Sequence, residues 1–223
     1  MKNYSKILKM FVSTEQMRGW MCKPFLIGDM AYSTDAYIMA ITPKINTEVF
    51  DSLEEKQAAN VLKIIPEGRN KNDIFSIKDI KALIEITPTE KEYEEKENEC
   101  SECNGSGEVY WEYNGYDKED DCPECDGDGT TARRIYNGKR VISYHAMIKI
   151  GNSYFKVSIL QRIVEAADAL NKSTLTLANQ TESNKESIFK SGDIEFLIMP
   201  VYAQSVDEKN VIAELKPINQ PTQ

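Results

Sequence analysis

Met147–Val157 reads MIKIGNSYFKV and runs directly into SILQRIVEAADAL, Ser158–Leu170. The first segment alternates and breaks at Gly151-Asn152-Ser153, as a β-hairpin does. Ser158-Ile159-Leu160-Gln161 has the S-x-x-Q form of a helix capping box. In the helix it opens, Ile159, Ile163, Ala166, Ala167 and Leu170 fall three to four apart and share one face, while Arg162, Glu165 and Asp168 point elsewhere. Thr174–Ala178 (TLTLA), Ser187–Lys190 (SIFK) and Glu195–Val201 (EFLIMPV) then read as short strands separated by polar turns. The order is β-α-β-β-β.

Working outward, the opening of the chain reads in the same way. Lys6–Val12 (KILKMFV) is short, apolar and compatible with a strand, and Ser13-Thr14-Glu15-Gln16 repeats the capping box. Lys23-Pro24 ends the helix, and Phe25–Ile41 (FLIGDMAYSTDAYIMAI) reads as two strands around Ser33-Thr34-Asp35. Phe75-Ser76-Ile77-Lys78-Asp79 opens a further capped helix, Ile77–Ile86, which belongs either to this framework or to the segment after it. Glu90–Glu99 is dominated by Glu and Lys and reads as a solvated linker or a helical extension. The tail from Ser205 has few bulky apolar residues and reads as loose.

Between these halves stand two matching cysteine motifs. Cys100-Ser-Glu-Cys103-Asn-Gly105-Ser-Gly107 is echoed by Cys122-Pro-Glu-Cys125-Asp-Gly127-Asp-Gly129, with eighteen residues between the pairs. Two residues between cysteines let both sulfurs reach one ion, and the glycines permit the tight turn that aims backbone N–H groups at the thiolates. Two such knuckles complete a closed four-cysteine site, so one structural Zn²⁺ held by Cys100, Cys103, Cys122 and Cys125 is expected. A pair of redox dithiols is the alternative, but neither pair sits at the strand-to-helix junction of a thioredoxin-like unit. The C-x-x-C-x-G-x-G repeat resembles the cysteine-rich zinc region of DnaJ-type co-chaperones, with two copies here where that family carries four. Asn114-Gly115 between Glu108–Tyr113 (EVYWEY) and Tyr116 is a hairpin signal. Tyr110, Trp111, Tyr113 and Tyr116 then either cover a finger too small for a core or form a partner-docking surface.

Charge is unevenly distributed. Pro88–Thr130 holds sixteen Asp and Glu against three Lys, which leaves 24 basic and 20 acidic groups elsewhere. A mildly basic body with a strongly acidic insert is expected, and only the former suits phosphate. No run of eighteen apolar residues exists, and the first ten residues do not have the form of a secretory signal, so no membrane partner and a cytoplasmic location are expected. Cys22 reads as a small buried apolar residue and His145, the only histidine, as a strand residue without a nucleophile beside it. The glycine pairs occur only inside the knuckles, and no enzyme is visible.

Phe155–Val201 resembles the closing half of a bacterial DNA sliding-clamp domain, through F-x-V-S-x-L-x-x-I-x-x-A-x-x-A-L and the final Ile198-Met199-Pro200-Val201. Ala31-Tyr32-Ser33-Thr34-Asp35-Ala36-Tyr37 is similar to the strand-turn-strand that carries Thr-Asp-Gly in clamps, with Ala36 in place of the glycine. The resemblance implies an α+β, DNA-clamp-like domain made of two β-α-β-β-β units, spanning residues 1–90 and 135–204. A zinc-binding β-hairpin at 91–134 is inserted into it, and 205–223 form a flexible tail. It implies two helices side by side on a curved sheet, with Arg18, Lys23 and Arg162 as candidates for a DNA-facing surface. It also implies a partner-peptide pocket at the final strand, near Leu197, Met199 and Val201, while Tyr110, Trp111 and Tyr113 are the candidates on the finger. The function expected is a non-enzymatic clamp-like protein of replication or phage DNA metabolism, with a protein partner, duplex DNA and homo-oligomers as associations. The alternative is a monomeric adaptor or inhibitor that uses the acidic finger to bind a protein and ignores DNA.

Overall fold

The strand IEFLI at Ile194–Ile198 sets the layering, because it is apolar on both sides. Ile194, Phe196 and Ile198 enter the main core, and Leu197 enters a second cluster with Phe25, Tyr32, Met39 and Ile188. The same division holds for Ile38 and Ala40 against Met39 and Ile41. A strand whose alternate side chains go to opposite faces reads as a continuous apolar run only when both faces are covered.

The computed structural model describes residues 4–43 and 50–219. It is an α+β protein that divides into a body, Met1–Pro88 with Ile142–Gln223, and a lobe, Thr89–Val141. The early part of the body holds α1 (Tyr4–Lys9), β1 (Phe25–Ile27), β2 (Met30–Thr34), β3 (Ile38–Pro43), β4 (Asp51–Ser52), α2 (Glu55–Lys63), β5 (Asp73–Ser76) and α3 (Ile77–Glu85). The lobe is built on β6 (Thr89–Glu99), β7 (Glu108–Tyr113), β8 (Tyr116–Asp121) and β9 (Thr130–Ile142). The late part of the body holds β10 (Met147–Ile150), β11 (Ser153–Lys156), α4 (Val157–Ala169), β12 (Thr174–Asn179), β13 (Ser187–Ser191), β14 (Ile194–Ile198) and β15 (Val211–Leu215).

Eight strands form one sheet in the order β4-β1-β2-β3-β14-β13-β12-β5. Its six central strands are two antiparallel meanders, β1-β2-β3 and β12-β13-β14, joined back to back where Ile38 pairs with Ile198 and Ile41 with Glu195. A smaller sheet, β11-β10-β15, contributes Ile148, Ile150, Phe155 and Leu215 to the main core.

The late unit forms as expected: β11, α4, then three strands. Its helix starts at Val157, however, with Lys156 as cap and no side-chain hydrogen bond, so the capping box at Ser158 is not used. Burial of Val157 in the core sets the start. The early unit lacks its leading strand. Lys6–Val12 was expected to be extended, but Tyr4–Lys9 is helical, and Ile7, Leu8 and Phe11 share the buried face, which is the helical period rather than alternation. Ser13 accepts a hydrogen bond from the Glu15 amide two residues on (3.1 Å), and Gln16–Cys22 is a 3₁₀ segment broken at Gly19. Phe25–Ile41 holds three strands, split a first time at Gly28-Asp29.

The helix packed against α4 is therefore α3, which belongs to the body; Ser76 caps it by accepting from the Asp79 amide, and Ile77 and Ile80 are buried. Over residues 205–219 the tail is not loose: β15 pairs in parallel with β10, and the Ile218 amide donates to the Ile74 carbonyl (2.7 Å) on the outer strand β5. His145 lies in the turn before β10, exposed, with its ring against Tyr144. Cys22 is half-buried.

The turn between β2 and β3 is Asp35-Ala36-Tyr37, two residues later than the sequence suggests. Thr34 Oγ1 donates to the Ile38 carbonyl, and Asp35 Oδ1 accepts from the Tyr37 and Ile38 amides. Ala36 is thereby held at φ +79°, a left-handed conformation that costs an L-residue about 1–2 kcal/mol. Glycine avoids that cost but loses about 0.5–1 kcal/mol more chain entropy on folding. Ala36→Gly is therefore expected to raise stability by about 0.5–1 kcal/mol, seen as a higher urea midpoint at unchanged slope. A lower midpoint would refute strain at this turn.

Candidate metal centre

Glu90–Glu99 is neither linker nor helix: it is β6, paired with β9. The strand is tolerated because its partner carries the opposite charge. Asn137 Nδ2 donates to Glu92 and Glu94, Arg140 donates to Thr89, the Tyr93 and Tyr136 rings meet at 6.1 Å, and Arg134 and Lys91 lie over those rings. These contacts pair falling numbers on one strand with rising numbers on the other, as in an antiparallel ribbon. Beyond it, β7 and β8 form the hairpin that Asn114-Gly115 announces, with Asn114 at φ +51° and Gly115 at φ +78°.

Between ribbon and hairpin the two knuckles face each other with near two-fold repetition. The Cys100 amide donates to the Gly129 carbonyl (2.8 Å) and the Cys122 amide to the Gly107 carbonyl (2.7 Å). The Gly107 amide donates to Cys103 Sγ (3.3 Å) and the Gly129 amide to Cys125 Sγ (3.2 Å). All four sulfurs lie within 4.8 Å of one another, with Cys100–Cys122 and Cys103–Cys125 both at 3.8 Å. A tetrahedral ion with bonds of about 2.3 Å to sulfur requires edges of about 3.8 Å, so the donor set fits zinc in both chemistry and size. Four ligands and full burial close the site, which suits a structural ion and leaves no open coordination position.

The cluster moves its thiols in opposite directions. Burial, together with the neighbouring sulfurs, pushes the Cys125 thiol up to about 12. Burial also opposes ionisation of Cys103, but hydrogen bonds from the Gly107 amide and the Cys100 and Cys125 thiols bring it down to about 7. The four cysteines are the only side chains beyond glycine that are buried in the lobe, so the cluster is the lobe's core.

The lobe boundary changes the charge assignment. Thr89–Val141 takes in Arg133, Arg134, Lys139 and Arg140, so it holds 16 acidic and 7 basic residues and the body holds 20 of each. The body is neutral rather than mildly basic. Residues 100–129 contain ten acids and one lysine, a surplus of nine that equals the formal charge of the whole chain, −9.

Each of the candidate DNA-facing cations is engaged within the body. Arg162 on α4 pairs with Asp35, donates to the Met10 carbonyl (2.7 Å) and stacks over Phe11. Arg18 pairs with Glu15 and donates to the Asp35 carbonyl (3.1 Å), so both arginines brace the strained turn. Lys23 pairs with Asp51.

Of the partner-binding candidates, Tyr110, Trp111 and Tyr113 are exposed on the hairpin. Leu197 is buried in the second cluster, Met199 is exposed, and Val201 bridges to Tyr154. Leu197 and Met199 nevertheless line an apolar groove of about 300 Å³ together with Trp20, Tyr37, Val61 and Ile64. Those last four were missed by the sequence reading, since they come from separate elements with no shared motif.

No protein-family model matches this sequence, and no curated protein does. Its structural neighbours are bacterial DNA polymerase III β sliding clamps. The Caulobacter crescentus β sliding clamp aligns at TM-score 0.48 and 10% identity, over 91% of this chain and 64% of the clamp. The Pseudomonas aeruginosa sliding clamp aligns at 0.44 and 11%, over 89% and 64%, and that of Bacillus subtilis at 0.44 and 12%, over 89% and 63%. The chain thus spans a little under two thirds of the length of the clamps it matches.

Proposed function

We propose that this chain is a non-enzymatic, clamp-like protein of DNA replication or of phage-type DNA metabolism, whose lobe is pinned by one structural zinc and contacts a protein partner. The observation that carries the reading is the central sheet, β1-β2-β3-β14-β13-β12, which is two three-stranded meanders meeting back to back, each preceded by a helical segment. The repeated unit matched to clamps by Phe155–Val201 supplies one of the two. The groove beside Leu197 and Met199 lies where the resemblance implies a pocket for partner peptides, and its apolar lining suits such a segment.

Light scattering after size-exclusion chromatography, with and without duplex DNA at low and moderate salt, tests the reading. A multimer, or a DNA complex that weakens as salt rises, is expected; a monomer indifferent to DNA would reject the clamp role. That second outcome belongs to the other reading, a monomeric adaptor or inhibitor working through the acidic lobe. It is favoured by one observation: the body carries 20 acids and 20 bases, and Arg18, Lys23 and Arg162 are paired within it.

A further inference from the structure

The β7–β8 ribbon pairs Glu108 with Asp121, Tyr110 with Glu119, Trp111 with Lys118 and Glu112 with Asp117. Two of these put like charges directly opposite each other, which weakens a ribbon. Glu108 also shares a hydrogen bond with Glu119, which holds its carboxyl above the usual range. Where the ribbon meets the first knuckle lies a cleft of about 460 Å³. Tyr110, Trp111, Pro123, Glu102 and Glu108 are among the residues that line it, and among the described residues no lysine or arginine does. Trp111 and Tyr110 are 57% and 76% exposed. Large aromatic faces left in water at a concave site are the usual anchors of a protein interface.

We propose that this cleft takes an arginine or lysine side chain from a basic segment of another protein, the cation lying on the Trp111 or Tyr110 ring between Glu102 and Glu108. The inference rests on the partner-contacting role of the lobe and names the chemistry of that partner. Three features converge on it. Aromatic faces attract cations through their quadrupole. The Glu102 and Glu108 carboxylates add charge-assisted hydrogen bonds, for which guanidinium is the better match. The chain's entire surplus of negative charge lies on this tip, steering cations in and repelling nucleic acid.

The test uses the zinc-loaded full chain and a fluorescein-labelled nona-arginine peptide, followed by anisotropy at physiological salt. Saturable binding is expected. Trp111→Ala and the double variant Glu102→Gln/Glu108→Gln should each weaken it about tenfold. Glu112→Gln/Asp117→Asn removes the same charge outside the cleft and should cost no more than about twofold. Metal content of about one per chain in every variant establishes that the lobe is folded. No binding would overturn the proposal. So would Trp111→Ala binding like the parent chain, or equal losses in the two charge-neutralised variants, which would mark diffuse attraction to an acidic surface. Direct binding of a fluorescein-labelled single-stranded oligonucleotide that Trp111→Ala abolishes would also overturn it, in favour of a base-stacking site. Clamp-type assembly with DNA is read from the body, so its persistence alongside a failed peptide test rejects the cleft alone.

Discussion

Replacing Cys103 with serine is expected to release the metal and unfold the lobe while the body keeps its fold. Residues 89–141 have no buried side chain apart from the four cysteines, and only Val109 packs against them. Hydrophobic burial therefore contributes little, and metal binding, worth about 10–16 kcal/mol in small zinc domains, supplies the folding free energy. The body holds its own core, from Phe11 and Phe75 to Phe155, Phe189 and Phe196, none of which depends on the knuckles. Metal analysis should give about one zinc per chain for the parent and an affinity reduced by more than about a hundredfold for the variant. Hydrogen exchange should show protection lost over 89–141 and kept over β10–α4 and β12–β14. Equal loss in both units would mean that the body needs the lobe. An ordered lobe without metal would refute the site. The sign of the pH dependence follows from the thiols. Free thiols titrate at about 8.5, so in the metal-free, unfolded lobe the cysteines hold their protons at neutral pH. Zinc must displace these protons, so affinity is expected to rise with pH from 6 to 8, approaching tenfold per unit for each proton displaced.

The parts of this molecule that were legible beforehand are those in which a local pattern decides the outcome. The knuckles could be read because ligand type and spacing are the chemistry itself. The helix α4 could be read because its apolar period is 3.6 and nothing competes with it, and Ser76 announced the start of α3. Lys6–Val12 failed because a seven-residue apolar stretch fits either period, and the choice fell to the face that packing required of Ile7, Leu8 and Phe11. Glu90–Glu99 failed because its strand conformation is supplied by Arg134, Tyr136, Asn137 and Arg140 on a strand some forty residues away. The tail failed for a similar reason: β15 owes its conformation to β10. The apolar groove is beyond sequence pattern altogether, since Trp20, Val61 and Leu197 meet only in the folded body.

Gly107→Ala and Gly129→Ala are expected to disrupt the lobe as severely as loss of a ligand, although neither residue touches the metal. Each glycine passes close to the other knuckle. A Cβ on Gly107 would lie 2.2 Å from the Gly127 carbonyl oxygen, and one on Gly129 would lie 2.4 Å from the Gly105 carbonyl oxygen. Both obstacles are backbone, so no rotamer relieves them, and both glycines also sit at positive φ. Moving the knuckles apart would break the Cys122 amide to Gly107 carbonyl bond and its counterpart at Cys100, and would spread the sulfurs beyond the edge a tetrahedral ion needs. Gly115 provides the control. It has a similar φ of +78° but open space around its Cβ position, so Gly115→Ala should cost only the conformational strain, about 1–2 kcal/mol, and leave the metal bound. Cobalt(II) substitution reads the difference directly, since a four-thiolate site gives intense charge-transfer and d–d bands. Those bands should survive in Gly115→Ala and be lost in Gly107→Ala and Gly129→Ala. If all three variants kept them, the knuckles would not be interlocked through their backbones, and the second glycine of each C-x-x-C-x-G-x-G motif would serve only the turn.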